Sequence, residues 1–247
     1  MRRLAWLPAL GLVLVLLPGL AVAQSVSIDM GAAGQSGATT RLVQLTALIG
    51  LLSLAPSLLV MATAFARITI VLSLLRSAIG AAGTPPNPVL VGLALFLSFF
   101  VMQPTLEKAW NDGLQPMAAG QIGELEGLRA AAEPFRTFMT TNARDSDIAL
   151  FRELAQLPAE EEAAQTPWRV LVPAFMVGEL RRAFEIGFLV YLPFLVIDLV
   201  IASVLMGLGM MMLPPPTVAL PFKLMFFVMV DGWRLVSGSL VQGFMPN

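Results

Sequence analysis

Four ionisable side chains stand inside apolar stretches of this chain. Asp198 lies near the middle of Ile186 to Met206, and Lys223, Asp231 and Arg234 fall within Val218 to Val236. A charged side chain at a bilayer centre costs at least about 2.5 to 3.5 kcal/mol on insertion scales, so these groups must face protein or water. Two chemistries suit them: ion pairing between helices or subunits, which sets register, or proton relay. The desolvation cost that forces partnership favours pairing. Nucleophilic chemistry is poorly served. Ser237 and Ser239 have no His partner, because the 247 residues include no His and no Cys, and a Ser–Lys pair through Lys223 needs a geometry that spacing does not supply. The same inventory excludes disulfides, thiol nucleophiles and Cys- or His-ligated zinc. No Gly-x-x-x-x-Gly-Lys-Ser/Thr occurs to hold a nucleotide. No catalytic residue, metal site or cofactor is expected.

The second conspicuous group is Met210, Met211 and Met212, set in Gly-Leu-Gly-Met-Met-Met-Leu-Pro-Pro-Pro from Gly207 to Pro216. Three prolines stop the arriving helix and two glycines allow a turn, so the stretch is expected to form a hairpin tip. Thioethers at a tip give a deformable apolar surface suited to a variable contact, and a ring of such tips would make a soft seal. A plainer alternative stands beside this: the tip packs into a core or a lipid interface.

These residues are carried by a strongly apolar chain. Hydrophobic residues make up 57% and charged residues 13%, with a mean hydropathy of +0.81, which marks an integral membrane protein. Formal net charge is −1 and no basic block stands out, so nucleic acid is not an expected partner. Residues 1–23 have the parts of a cleavable secretory signal: Arg2 and Arg3, an apolar run from Leu10 to Leu17, and Ala21-Val22-Ala23 with cleavage expected between Ala23 and Gln24. An uncleaved first span is the alternative. Residues 24–41, rich in Gly, Ala, Ser and Thr, are expected to form a flexible leader.

Residues 42–104 are expected to form a first apolar hairpin. It comprises a kinked helix from Leu42 to Phe65, Arg67 and Arg76 as markers of the cytoplasmic side, a turn through Pro85 and Pro86, and a return segment from Val89 to Met102. That return segment is only about two-thirds of the roughly 20 residues that a perpendicular span needs. Residues 105–180 are the extended polar region, expected to be helical and extracytoplasmic. Ile122, Leu125, Leu128, Phe135 and Phe138 recur at helical spacing, as do Ile148, Phe151 and Leu154 after Asp145 or Ser146 as cap, and Glu160 to Glu162 read as a solvated run. Residues 181–247 form a second apolar hairpin around Pro214 and Pro215, with the Met-rich tip. Arg181 and Arg182 oppose the positive-inside tendency, but Glu179, Arg181, Arg182 and Glu185 can pair locally. The expected class is all-α and membrane-associated, its hairpins packed mainly against other helices in an oligomer instead of crossing the bilayer in the ordinary way.

Several stretches resemble the FliP family of flagellar biosynthetic proteins. They are Ile68 to Arg76, Pro85-Pro86-Asn87, Gly92 to Leu97, Asp147 to Phe151, Pro173-Ala174-Phe175 with Glu179-Leu180, Leu192 to Asp198, Gly209 to Pro215, Leu220 to Leu224 and Val230 to Trp233. The likeness runs from about Leu42 to Phe244 and departs at Pro216, where the family more usually has an apolar residue. The injectisome counterpart, often called SctR, is similar over the same hairpins but lacks a cleavable signal, which favours the flagellar branch. The resemblance implies a pentamer that joins FliQ and FliR in a helical, cone-shaped pore. This pore would sit in the bacterial inner membrane within the flagellar basal body, with much of it on the periplasmic side. It further implies that Met210, Met211 and Met212 form a gasket, that unfolded export substrates pass it, and that other flagellar export components and membrane lipid are partners. A scaffold that nucleates the flagellar base is the competing class.

Overall fold

The computed structural model describes residues 46, 49, 50, 53, 57, 60–81, 83–157, 166–210 and 212–245. The signal segment with Ala23 and Gln24, the leader, most of the expected Leu42 to Phe65 helix, Glu160 to Glu162 and Met211 lie outside the described residues. The chain divides into two units, Met1–Ser53 and Leu54–Asn247. In the first, Thr46, Ile49, Gly50 and Ser53 are helical, and the Ser53 hydroxyl donates to the Gly50 carbonyl at 2.7 Å. In the second, every regular element is helical, with no strand among the described residues.

Helix α1 spans Phe65–Ile79 and buries Arg67, Ile68, Val71, Leu72, Leu75, Ala78 and Ile79, a spacing of three and four residues that turns one apolar face inward. It ends at Gly80, which takes φ +76, and the Gly80 amide donates to the Arg76 carbonyl. After a turn through the cis Thr84–Pro85 bond and the extended Pro86, α2 spans Asn87–Ala109. It does not end at Pro104, but continues through a π-helical turn, Trp110–Leu114, into α3, Gln115–Ala118. The length expectation for Val89 to Met102 is therefore corrected: Asn87–Ala118 is 32 residues long and apolar enough to cross a membrane. Helix length is set by backbone continuity, and the polar Gln103 to Lys108 turn extends the helix where it ends the apolar run.

Two amphipathic helices follow, α4 at Glu124–Asn142 and α5 at Asp145–Leu154. Arg144 caps α5 with extended backbone, so Asp145 is the first helical residue and not the cap; with Asp147 it places carboxylates against the helix N-terminus. The helical period is there, yet Leu125, Leu128 and Leu154 are exposed. The buried contacts come from Met139 with Leu171 and Phe175, and from Ile148 with Val170 and Ala174.

Helix α6, Trp168–Gly207, is 40 residues long and passes through Pro173 and Pro193. It is the second helix long and apolar enough to cross a membrane. The compositional boundary between Leu180 and Arg181 falls inside it, because the charged turn at 179–185 changes polarity without breaking the helix. After the Met-rich tip, α7 spans Pro215–Met229 and α8 spans Gly232–Gln242, bent by 61° at the break. One segment was expected from Val218 to Val236. Asp231 interrupts it by adopting a left-handed conformation (φ 51, ψ 52), and Gly232 lies so close to Phe227 that a Cβ there would meet the ring at 2.1 Å. The principal core surrounds α1, with Phe194, Phe227, Val236 and Leu240 closing on Ile68 to Leu75.

Gly113 in the π-helical turn has the tightest backbone environment. A Cβ there would lie 2.4 Å from the Ala131 amide nitrogen and 2.6 Å from the Gly127 carbonyl oxygen, whereas Gly92 on α2 has open space. Gly113→Ala is expected to lower the thermal midpoint of the purified protein by an amount equivalent to about 1–3 kcal/mol, with Gly92→Ala near neutral. Equal midpoints for the two variants would contradict the close approach of α4.

Candidate functional site: a methionine tip on a charge-clamped hairpin

The tip is built by a specific end to α6. The Gly209 amide donates to the Met206 carbonyl at 3.1 Å and the Met210 amide to the Leu205 carbonyl at 2.9 Å, with Gly209 at φ +73. This is a Schellman stop, which satisfies the last carbonyls and turns the chain through the one residue type that takes a left-handed conformation freely. On the return side, Pro214 is extended and Pro215 opens α7, where a missing amide costs nothing. The turn leaves Met212 99% exposed and Met210 44% exposed, with Leu208 and Leu213 also open. No residue between Asp198 and Lys223 is charged. The tip is thus an apolar surface that none of the described residues covers.

A partly buried ion pair, its lysine buried and its aspartate half-buried, ties together the hairpin that presents this tip. Lys223 Nζ on α7 lies 2.6 Å from Asp198 Oδ2 on α6 and donates to the Ala78 carbonyl at 3.0 Å. Ala78 is in the last turn of α1, where carbonyls lack intrahelical partners and the dipole is negative, so one ammonium joins three helices. Phe194 on α6 sits against Phe226 and Phe227 on α7, with ring centroids 5.9 and 6.2 Å apart. Asp198 Oδ1 is buried and has no hydrogen-bond partner among the described residues.

A second clamp lies at the other end of α1, and its cation went unrecognised in the sequence. Arg67, read from the sequence only as a marker of the cytoplasmic side, is buried in the protein interior at 1% exposure. Its Nε donates to Glu179 Oε2 at 2.8 Å and its Nη2 donates to Glu179 Oε1, a two-pronged contact with a fully buried carboxylate. Arg67 Nη1 donates to the Gly243 carbonyl at 3.2 Å, and the guanidinium carbon lies 3.6 Å from the Phe244 ring centroid. Phe138 in turn stacks on Phe244 and meets Phe175 edge-on. Glu179 is therefore partnered across the fold, not locally. The clamp gathers α1, α4, α6 and the end of α8.

The remaining charged candidates are superficial. Arg181 pairs with Glu185 at 2.8 Å within α6, both more than half exposed; Arg182 is half-buried beside them; Asp231 and Arg234 approach to 4.0 Å at the exposed bend. Such exposed pairs are screened by solvent and contribute little to stability. At the first tip, Arg76 Nη1 donates to Asn87 Oδ1, tying the end of α1 to the start of α2 beside Pro85 and Pro86.

Residues 48–240 match the FliP family. The chain is 52% identical over 246 residues to the flagellar biosynthetic protein FliP of Caulobacter vibrioides, covering 99% of this chain and 92% of that one. It is 49% identical over 237 residues to the protein of the same name from Agrobacterium fabrum, covering 94% and 96%. Identity to the Bacillus subtilis protein of that name is 46% over 202 residues, covering 82% and 91%.

Removing one partner of a buried pair strands the other, at a cost of about 3–5 kcal/mol, whereas replacing both with apolar residues is often neutral. Arg67→Met and Glu179→Met are each expected to depress the thermal midpoint strongly, and the double variant is expected to recover most of the loss. A double variant as unstable as the sum of the singles would contradict the pairing.

Proposed function

The chain belongs to the FliP family, and on that footing we propose that it is a gate-forming subunit of the flagellar protein-export channel. The observation that carries this reading is the exposed, charge-free methionine tip held out by a hairpin whose base is locked to α1 through Lys223. A translocating chain presents every type of side chain, so its closure must seal against ions yet bind nothing strongly. Unbranched thioethers repack around varied shapes, and a ring of them keeps water sparse, giving a dewetting barrier. The seal yields when a polypeptide enters and reforms behind it. Energy for movement comes from elsewhere, because the sequence has no phosphate-binding loop and the Lys223 ammonium is held by Asp198.

One tip cannot close a ring, so copies of the chain must meet. The apolar faces available for such contact are extensive: Phe96, Phe99 and Phe100 on α2, and Leu195, Val196 and Leu199 on α6 are exposed in the single chain. A pentamer completed by FliQ and FliR, seated at the inner membrane with much of its mass on the periplasmic side, would cover them. The flagellar names of the relatives favour the flagellum over the injectisome. A scaffold that merely surrounds a hole would need the same faces but no deformable tip.

Replacing Met210, Met211 and Met212 together by Ala should raise resting ion conductance across membranes carrying the assembled complex, with assembly intact. Assembly without added leak would instead identify the tip as packing and the subunit as a scaffold.

A further inference from the structure

All the sulfur in this chain is thioether, from 14 Met and no Cys. Access to it is very uneven. Within the single chain, Met102 and Met139 are sealed between helices at 1% and 0% exposure, while Met212, at 99%, is left uncovered by the helices that present it. Thioether oxidation needs an oxidant to reach the sulfur lone pair, so access orders the sites.

We propose that Met212, with Met210 beside it, is a redox-sensitive modification site at which peroxide oxidation loosens the seal; this rests on the gate reading given above. The sulfur lone pair attacks one peroxide oxygen, an S–O bond forms as the O–O bond breaks, and the other oxygen leaves as water once the protons have transferred. Sulfur loses two electrons and the peroxide gains them. The product sulfoxide is polar and a strong hydrogen-bond acceptor, placed where no charged residue occurs between Asp198 and Lys223. A hydrated tip no longer sustains a dewetting barrier, so the closed state leaks. Methionine sulfoxide reductases, one for each sulfoxide epimer, restore the thioether, which makes the change reversible. Met225 and Met229 are exposed too, but they lie along α7 away from the turn, so their oxidation leaves the seal intact.

The test uses membrane vesicles carrying the assembled complex, treated with hydrogen peroxide and followed by peptide mass spectrometry and by ion leak. Met212 sulfoxide is expected to accumulate at least about tenfold faster than sulfoxide at Met102 or Met139, in keeping with access control. Leak is expected to rise in step and to fall again after treatment with both reductases. A variant with Met210, Met211 and Met212 changed to Leu should show no further rise over its own untreated baseline, while Met225→Leu/Met229→Leu should still respond. Slow oxidation at Met212, comparable to that at Met139, overturns the site. Oxidation at Met212 without leak, where the triple Ala variant does leak, overturns the redox inference alone; where the Ala variant is also tight, the gate reading fails with it.

Discussion

A guanidinium and a carboxylate that meet inside an apolar chain constrain everything around them. Arg67 and Glu179 are each buried almost completely, and neither is tolerable there without the other. Satisfying Arg67 brings α1 against α6, draws the Gly243 carbonyl to the end of the guanidinium, and sets Phe244 on its face with Phe138 behind. The path of α8 follows from this. To reach Arg67 from α7 the chain must bend, and the left-handed Asp231 followed by Gly232 against the Phe227 ring supplies the bend. Asp198 and Lys223 make a second, partly buried tie at the opposite end of α1, with the Ala78 carbonyl as third partner. Helix α1 is thereby tied at both ends, and the base of the α6–α7 hairpin is joined to it.

The helical class, the two proline-bounded turns and the membership of the FliP family were legible in the residues, because apolar runs, Pro-Pro turns and the Met-Met-Met-Leu-Pro-Pro stretch are local signals. Asp198 and Lys223 stood out for a related reason: a charge within an apolar run is conspicuous. Arg67 did not, since it stands at the edge of such a run and resembles a boundary marker. Its partner is 112 residues away, and a single sequence contains no signal for that distance. The reach of α2 to Ala118 was hidden by the equation of span with uninterrupted hydrophobicity. The break at Asp231 had a signal that went unused, since Asp-Gly is a turn dipeptide even within an apolar stretch.

The clamps give the tip its character. A methionine turn on a loose hairpin would fold back on the nearest apolar face; held by Lys223 and stopped by Gly209, it stays out. In the proposed gate this division of labour separates a stiff frame from a soft closure. Side-chain repacking at the tip then requires no movement of α1, and the frame can resist leakage without gripping its cargo.

The absence of cysteine makes the central claim directly measurable, because one introduced thiol is unique in the chain. An export substrate bearing a single cysteine, arrested midway through the assembled channel, should form a disulfide with Met212→Cys and none with Met229→Cys, which is exposed but lies along α7. Cross-linking at position 229 alone, or at neither position while the substrate is arrested, would contradict a closure formed by the methionine tip.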